Sequence, residues 1–311
     1  MQNITLRQLK SVLAIEAHGR IVAAAQAIGL TAPAVTLQLK QIEEVMGISL
    51  FERTSHGMLP TQAGSAVLAA AKEIEQRLAA LGQEIDAFKG VKRGRISVGA
   101  VSTVKYFAEP MAAAFAKAYP DIDLELFIER RTDTVERLRS RTIDVALFGR
   151  PPRDFSVRAT VFGEHSFVVV SAPNHELVGR QAISKQEIAR QHFFLRSPDA
   201  GTRVFFEKFM CDIPGRSAGP NTEMESIEDI KQAIMADDSV AFLATHSVAA
   251  EVRAGKLAVL DVEGLPLRRQ WFSVTRADRL KTPVITAFEA FLSSEGRNFL
   301  PDLSGTEDMG N

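Results

Sequence analysis

The stretch that most restricts this chain runs from Ala23 to Glu43. Ala23 to Ile28 is alanine-rich and short, which suits a brief helix; Gly29 permits the positive φ of a tight corner. Thr31 can cap a second helix whose first turn carries Pro33. On that second helix Val35, Leu39 and Ile42 recur at steps of 4 and 3, so they face inward and leave Thr36, Gln38, Lys40 and Gln41 outside. Two readings fit the stretch alone: an αα-hairpin with a solvated polar face, or a helix-turn-helix whose small polar side chains pair with base edges in a DNA major groove. On the second reading Thr31, Ala32, Pro33, Thr36, Gln38 and Lys40 are the candidate DNA contacts.

The flanks favour the second reading. Thr5 can cap a supporting helix with Leu6, Leu9, Val12, Leu13 and Ala17 along one stripe, ending near His18-Gly19. After the helix pair, Leu50 and Phe51 read as core, and Ser55-His56-Gly57 is turn chemistry between two short strands. That hairpin would be a wing, with Arg53 at its root able to reach phosphate or the minor groove. Residues 1–60 are therefore expected to form a winged helix-turn-helix domain.

Thr61 then caps a long helix, expected over residues 61–89. Val67, Ala71, Ile74, Leu78, Leu81, Ile85 and Phe88 follow one another at alternating steps of 4 and 3, a sustained heptad seam. At 1.5 Å per residue such a helix runs about 40 Å, too long to lie on a small domain, so its seam is expected to pair with a second copy of the chain. Residues 90–94, with Gly90 and Gly94 bracketing Lys92 and Arg93, read as a basic hinge.

Beyond the hinge, strands alternate with helices, and repeated βα units imply a parallel sheet covered by helices. Strands are expected at Ile96–Val101, Asp123–Ile128, Ile143–Phe148, Phe167–Ser171, Phe193–Arg196, Val240–Leu243, Leu257–Leu260 and Trp271–Val274. The expected architecture is two α/β lobes facing a cleft: lobe I from residues 95–160 and 267–300, lobe II from residues 161–266, and a loose tail over 301–311. Ser102 and Thr103 on one side, and Thr202 and Arg203 on the other, sit where strand gives way to helix and can hold an anion with hydroxyls and helix-start N–H groups. Lys105, Arg150, Arg196 and Lys231 add positive charge near strand ends, so a small anionic metabolite is the expected ligand.

Composition narrows the alternatives. Lys and Arg number 37 against 38 Asp and Glu, so a DNA-binding surface must be local. The single Cys211 excludes an internal disulfide or a cysteine-rich zinc site, fits a reducing compartment, and is expected to serve as a small, partly buried apolar residue. No apolar run is long enough for a membrane span and the N-terminus lacks a signal-peptide core, which gives a cytoplasmic protein with no membrane partner. No Gly-x-Ser-x-Gly elbow, His-Glu-x-x-His helix or glycine-rich phosphate loop is present, so no catalytic residue, metal or cofactor is expected. An enzyme and a transport solute-binding protein are the rival readings, and both explain less of the chain.

Taken together, these residues resemble a LysR-type transcriptional regulator. The carriers are Leu6-Arg7-Gln8-Leu9, Pro33-Ala34-Val35-Thr36, Leu50-Phe51-Glu52-Arg53 and Thr61-Gln62-Ala63-Gly64, and the likeness extends over nearly the entire chain. Within that family it is most similar to the CbbR-type regulators of carbon-fixation operons, through Val101-Ser102-Thr103-Val104-Lys105-Tyr106-Phe107, Gly149-Arg150-Pro151-Pro152, Gly201-Thr202-Arg203 and Ile230-Lys231-Gln232-Ala233. The resemblance implies a homodimer or homotetramer on promoter DNA, contact with RNA polymerase, and a Calvin-cycle intermediate or reduced nicotinamide nucleotide as effector; a different catabolic or biosynthetic operon with an unrelated effector is the alternative. Four positions in three places depart from the family pattern. Ala32 stands where a Gln is usual, Val22 and Ala23 where polar or basic residues are usual, and Ser226-Ile227-Glu228 where Ser-Asn-Glu is usual.

Overall fold

The computed structural model describes residues 4–55, 57–88, 93–213, 221–301 and 303, without the side chains of 83, 84 and 86–88. The chain divides into two compact units, Met1–Ile85 and Asp86–Asn311.

The first unit opens with α1 (Leu6–His18), started by a reciprocal cap. The Gln8 backbone N–H donates to Thr5 Oγ1 (3.3 Å) and the Thr5 N–H donates to Gln8 Oε1 (2.8 Å). Then come α2 (Ile21–Ala27) and α3 (Ala32–Met46), whose axes differ by 105° across the corner at Gly29 (φ +67°). Thr31 Oγ1 accepts from the Ala34 N–H at 3.4 Å, as a capping threonine should. Val12, Ile15, Val35, Ile42 and Leu50 are fully buried where the three helices meet. The hairpin β1 (Phe51–Thr54) and β2 (Gly57–Pro60) is antiparallel and docks on the end of α1 through Met58 N–H donating to the Gly19 carbonyl at 2.8 Å. Gly57 adopts φ +128° there, and a Cβ on it would collide with that same carbonyl, so the wing needs glycine at this position.

The long helix α4 (Gln62–Phe88) has two parts by burial. Its first turns join the core through Leu68 and Ala71 and are pinned by Lys72 to Glu16 at 2.9 Å. Further along, Ile74, Leu78, Leu81 and Ile85 are each 40–45% exposed, an apolar stripe uncovered in the single chain. The seam's last member, Phe88, lies outside the described side chains, as do hinge residues 90–92.

In the second unit the expected parallel sheet is corrected to a mixed one. The strands β3 (Gly94–Val101), β4 (Ile122–Glu129) and β5 (Val145–Phe148) pair in parallel, as do β7 (Phe193–Arg196), β8 (Asn221–Met224) and β9 (Val240–Ala244). Between these triplets run two long antiparallel strands, β6 (Val157–Ser171) and β11 (Leu267–Arg276), giving the order β4-β3-β5-β11-β6-β9-β7-β8, with β10 (Ala258–Leu260) also on β6. The expected strands at 167–171 and 271–274 were thus too short. Arg158, Glu164, His165, Arg268 and Arg269 break the apolar pattern because these strands cross from one lobe to the other, where neither face is wholly covered by helices.

Helices α5 (Lys105–Ala118), α6 (Arg131–Arg139) and α11 (Pro283–Glu295) belong to the first lobe. There α11 returns to pack on α5, with the Phe115 and Phe288 rings edge to face at 5.1 Å. The second lobe carries α7 (Lys185–Ile188) and α8 (Gly201–Phe209) over a core of Phe167, Phe193, Phe206 and Phe242, and α9 (Ile227–Ala236) and α10 (Thr245–Arg253) over another of Val168, Val170, Ala241 and Leu243. Cys211, expected to be partly buried, is exposed at the end of α8. Of the expected loose tail, only Pro301 and Leu303 are described, and Leu303 packs against the second lobe. No single helix among the described residues is long and apolar enough to cross a membrane.

Candidate functional site: an exposed helix face and a basic cleft

On the first unit the exposed side of α3 is made by Thr31, Pro33, Thr36, Leu37, Lys40 and Gln41. Thr36 Oγ1 donates to the Ala32 carbonyl (2.9 Å) and remains exposed, and Lys40 lies 3.6 Å from Glu44 with both side chains in solvent. Ala32 is half-buried, and Arg53 is exposed on the wing.

Gln38 corrects the expectation. It is half-buried, and its Oε1 accepts from Ser11 Oγ at 2.5 Å, tying α3 to α1 rather than pointing outward. Ser11 is fully buried, so this bond satisfies a hydroxyl that would otherwise have no partner. Gln41 is linked the same way, by Gln8 Nε2 donating to its Oε1 at 3.3 Å. Leu37, opposite the Val35, Leu39 and Ile42 stripe, is 55% exposed, and Val22 on α2 is 61% exposed. The same spacing puts Leu37 on the outer face, where the sequence reading named only polar residues.

In the second unit a cavity of about 330 Å³ lies between the lobes. Six of the eight expected residues line it: Ser102, Thr103 and Lys105 from the β3–α5 junction, Arg150 after β5, Arg196 at the end of β7, and Thr202 at the start of α8. Neither Ser102 nor Thr202 is a helix cap. Ser102 opens a 3-10 turn, Ser102–Val104, before α5, while Ala200 occupies the cap position of α8 and leaves Thr202 in its first turn. Turn and helix-start N–H groups and side chains thus meet at the cavity.

Arg203 and Lys231 are corrected outright, since neither lines the cavity. Arg203 donates to Glu207 Oε1 at 2.7 Å one turn along α8. Lys231 is buried between Glu228 (2.9 Å) and Glu251 (2.8 Å). Residues that the sequence did not single out take their place: Arg130 and Arg131 at the β4–α6 junction, His165 on β6, and Asp199 and Glu225 as the acids nearby. Arg130 and Arg131 obey the same strand-end rule that found Ser102 and could have been found by it.

The cleft holds three of its cations, Arg131, Arg150 and Arg196, largely out of water, while Arg130 and Lys105 remain exposed. Burial lowers the Arg131 guanidinium to about 10, helped by Arg150, while Arg131 donates to the Arg150 carbonyl at 2.6 Å. Burial likewise lowers Arg196, with Asp199, Tyr106 and Glu225 acting against it. The Nε atoms of Arg150 and Arg196 are buried without a hydrogen-bond partner. His165 is stacked on Trp271 at 4.1 Å, and burial, then His246, push it well below the usual histidine range, so it is neutral. An anion entering here meets donors already in place and relieves buried positive charge.

A latch joins the lobes at the mouth. Tyr106 on α5 donates to Glu228 Oε1 on α9 at 2.6 Å, and Lys105 reaches the same carboxylate at 3.1 Å. Burial pushes Glu228 up, but the bonds from Tyr106, Lys231 and Lys105 outweigh it and hold the carboxyl at about 2. Burial and the adjoining Glu228 in turn raise the Tyr106 phenol far above its ordinary value.

A helix-turn-helix with a wing, a long helix with a bare apolar seam, and a two-lobed unit with a basic cleft define a DNA-binding regulator with a ligand-binding domain. The chain belongs to the LysR family of bacterial regulators: residues 6–65 match the family's regulatory helix-turn-helix protein and residues 89–297 its substrate-binding domain. No cluster of metal-binding side chains occurs among the described residues.

Among curated proteins it is similar to the HTH-type transcriptional regulator CbbR of Rhizobium meliloti (strain 1021), with 46% identity over 304 residues, 98% of this chain and 97% of the relative. Among solved structures it shares its fold with full-length CbnR in complex with its target DNA (TM-score 0.62, 20% identity, 93% of this chain and 99% of that one). The second unit also shares its fold with the regulatory domain of Synechocystis PCC6803 CcmR in complex with 2-PG (TM-score 0.60, 23% identity, 66% of this chain and 99% of that one).

Proposed function

We propose that this protein is a homo-oligomeric regulator of carbon-fixation genes, a dimer or tetramer on promoter DNA, switched by a small anionic metabolite bound between its two lobes. The observation that carries the effector reading is the cleft itself: Arg131, Arg150 and Arg196 face a cavity of about 330 Å³ beside Ser102, Thr103 and Thr202. A pocket of that size suits a small metabolite. The regulon follows from the 46% identity to a CbbR protein, and the anion class from the chemistry of the cleft and from the 2-PG held by the CcmR domain. Thr31, Pro33, Thr36, Lys40 and Arg53 are the DNA contacts of this reading, with Ala32 at the helix start and Leu37 and Val22 offering apolar contact to thymine methyl groups.

Effector binding re-sets the lobes through the Lys105–Tyr106–Glu228 latch, and the change reaches DNA bending and RNA polymerase contact through the oligomer. The cytoplasm, where DNA and metabolite meet, is its place of action. The test is calorimetry of the full chain with 2-PG, phosphorylated Calvin-cycle intermediates and reduced nicotinamide nucleotides, combined with a gel shift on the promoter beside its own gene. One of these anions binds and alters the shifted complex, and Thr202→Val and Arg196→Met weaken that binding. Unchanged affinity in both variants refutes the cleft, and no specific shifted band refutes the promoter claim.

A further inference from the structure

Besides the cleft, the second unit carries a larger groove of about 1100 Å³ along the crossover strands β6 and β11. Six cations line it: Arg150, Arg153, Lys208, Arg268, Arg269 and Arg297, against the single acid Glu164. Outside the groove and the cleft, many arginines of this unit are answered by carboxylates: Arg137 by Glu129 at 2.9 Å, Arg141 by Asp278 at 2.7 Å, Arg180 by Glu187 at 2.6 Å and Arg203 by Glu207 at 2.7 Å. In the groove, among the described residues, only Arg268 has a carboxylate within reach, Glu164 at 3.8 Å. Arg269 donates to the Arg268 carbonyl at 2.8 Å and lies 5.7 Å over the Phe205 ring, which orients its guanidinium without neutralising it.

The floor is aromatic in part. His246 lines the groove, buried and neutral, with its ring N–H donating to the Thr103 backbone. Phe205 and Phe272 give the floor an apolar part. Concave walls and an aromatic floor are features of a small-molecule site, whereas a surface built for the DNA backbone needs only an open run of positive charge.

We infer that this groove is a second anion-binding site, taking a small molecule with two or more phosphate or carboxylate groups held by the guanidinium groups of Arg268, Arg269 and Arg153. Two or more forks on one ligand account for the number of unanswered arginines, because each guanidinium can grip one such group through two parallel hydrogen bonds. The groove shares Gly149, Arg150 and Phe205 with the effector cleft, but Arg153, Arg268 and Arg269 line the groove and not the cleft, so the inference does not require that the cleft bind anything.

Inorganic pyrophosphate is the probe, titrated calorimetrically into the full chain at about 0.15 M salt, where weak surface charge pairing is largely screened. The expected result is a saturable binding event that weakens at least tenfold in Arg268→Gln/Arg269→Gln and persists in Thr202→Val. Both arginines are outside the cores, and an unchanged melting temperature of the double variant verifies its fold. Failure of the cleft removes only the event sensitive to Thr202→Val and leaves the groove's event standing. No saturable binding, or binding sensitive only to Thr202→Val, overturns the inference. So does a double variant that keeps pyrophosphate but loses promoter DNA, because the groove would then be a DNA-backbone surface.

Discussion

The two units place function in opposite ways. In the first, the side chains proposed to read DNA stand outside a small core that does not need them: Thr36 and Lys40 are solvent-exposed while Val35, Leu39 and Ile42 on the same helix hold the fold. In the second, the side chains at the ligand cleft are themselves buried among the fold's own contacts, as with His165 stacked on Trp271. Substitutions at the first site should therefore change function without stability, whereas each one at the second must be read for its effect on the fold as well as on the ligand.

The largest expected effect lies in the bare seam of α4. Leu78→Asp puts a charge into the stripe of Ile74, Leu78, Leu81 and Ile85. It should give a monomer by light scattering and weaken promoter binding by roughly 100-fold or more, because two linked reading heads gain their avidity only when joined. The melting of the first unit's core should not change. An unaltered oligomer would show that the seam is not the interface.

Next in size is the acid response of the second unit. Burial holds His246 at about 3 and His165 well below the usual range, against an unfolded value of about 6.5. Both are depressed bases, so their neutral forms favour the fold fully above pH ~6.5, and this is lost as pH falls toward the folded values. Each adds a slope approaching about 1.4 kcal/mol per pH unit in that window. Glu228 and Asp278, both held at about 2, act only below pH ~4.5 and lose their contribution as pH falls further. Urea unfolding followed by the single Trp271 should thus show stability falling between pH 6.5 and 4.5, and His246→Gln should flatten that fall. A flat wild-type curve across that window would contradict the burial argument.

Third is Arg196→Met, where the two kinds of cost part company. Anion affinity should fall about tenfold or more, while the melting temperature stays level or rises, since a buried guanidinium with an unpartnered Nε gives way to an apolar side chain. A large loss of stability would mean that Arg196 belongs to the fold rather than to the cleft.

What the sequence made legible follows from the same contrast. Thr5, Thr31 and Gly29 mark the helix pair because caps and corners are local chemistry, and the heptad steps from Val67 onward are local periodicity. The strand-end rule brought six cleft residues together, because βα junctions cluster at one end of a parallel triplet. It did not see that Glu207, one turn along the same helix, captures Arg203, nor that Glu228 and Glu251 enclose Lys231. Pairing between side chains is decided by rotamers and by neighbours from other elements. The long strands β6 and β11 were cut short for a related reason: their crossing segments carry charge on a face that periodicity reads as loop.

The smallest effects test the contrast most finely, on one helix. Thr36 and Gln38 lie two residues apart, and sequence reading treated them alike, yet one is outside and the other bonds to buried Ser11. Thr36→Val keeps the shape and removes the exposed hydroxyl; it should cost roughly 1–3 kcal/mol of base discrimination, read as competition between the promoter and a single-base variant, with stability within about 0.5 kcal/mol of wild type. Gln38→Ala should do the reverse. It strands the Ser11 hydroxyl, fully buried, at a cost of about 1–3 kcal/mol of stability, with base discrimination unaltered. The double variant Ser11→Ala/Gln38→Ala removes both partners and should recover much of that loss, since nothing polar is then left buried and unbonded. If Gln38→Ala instead changed base preference at constant stability, Gln38 would have to leave Ser11 on DNA, and the division between reading and holding on α3 would not stand.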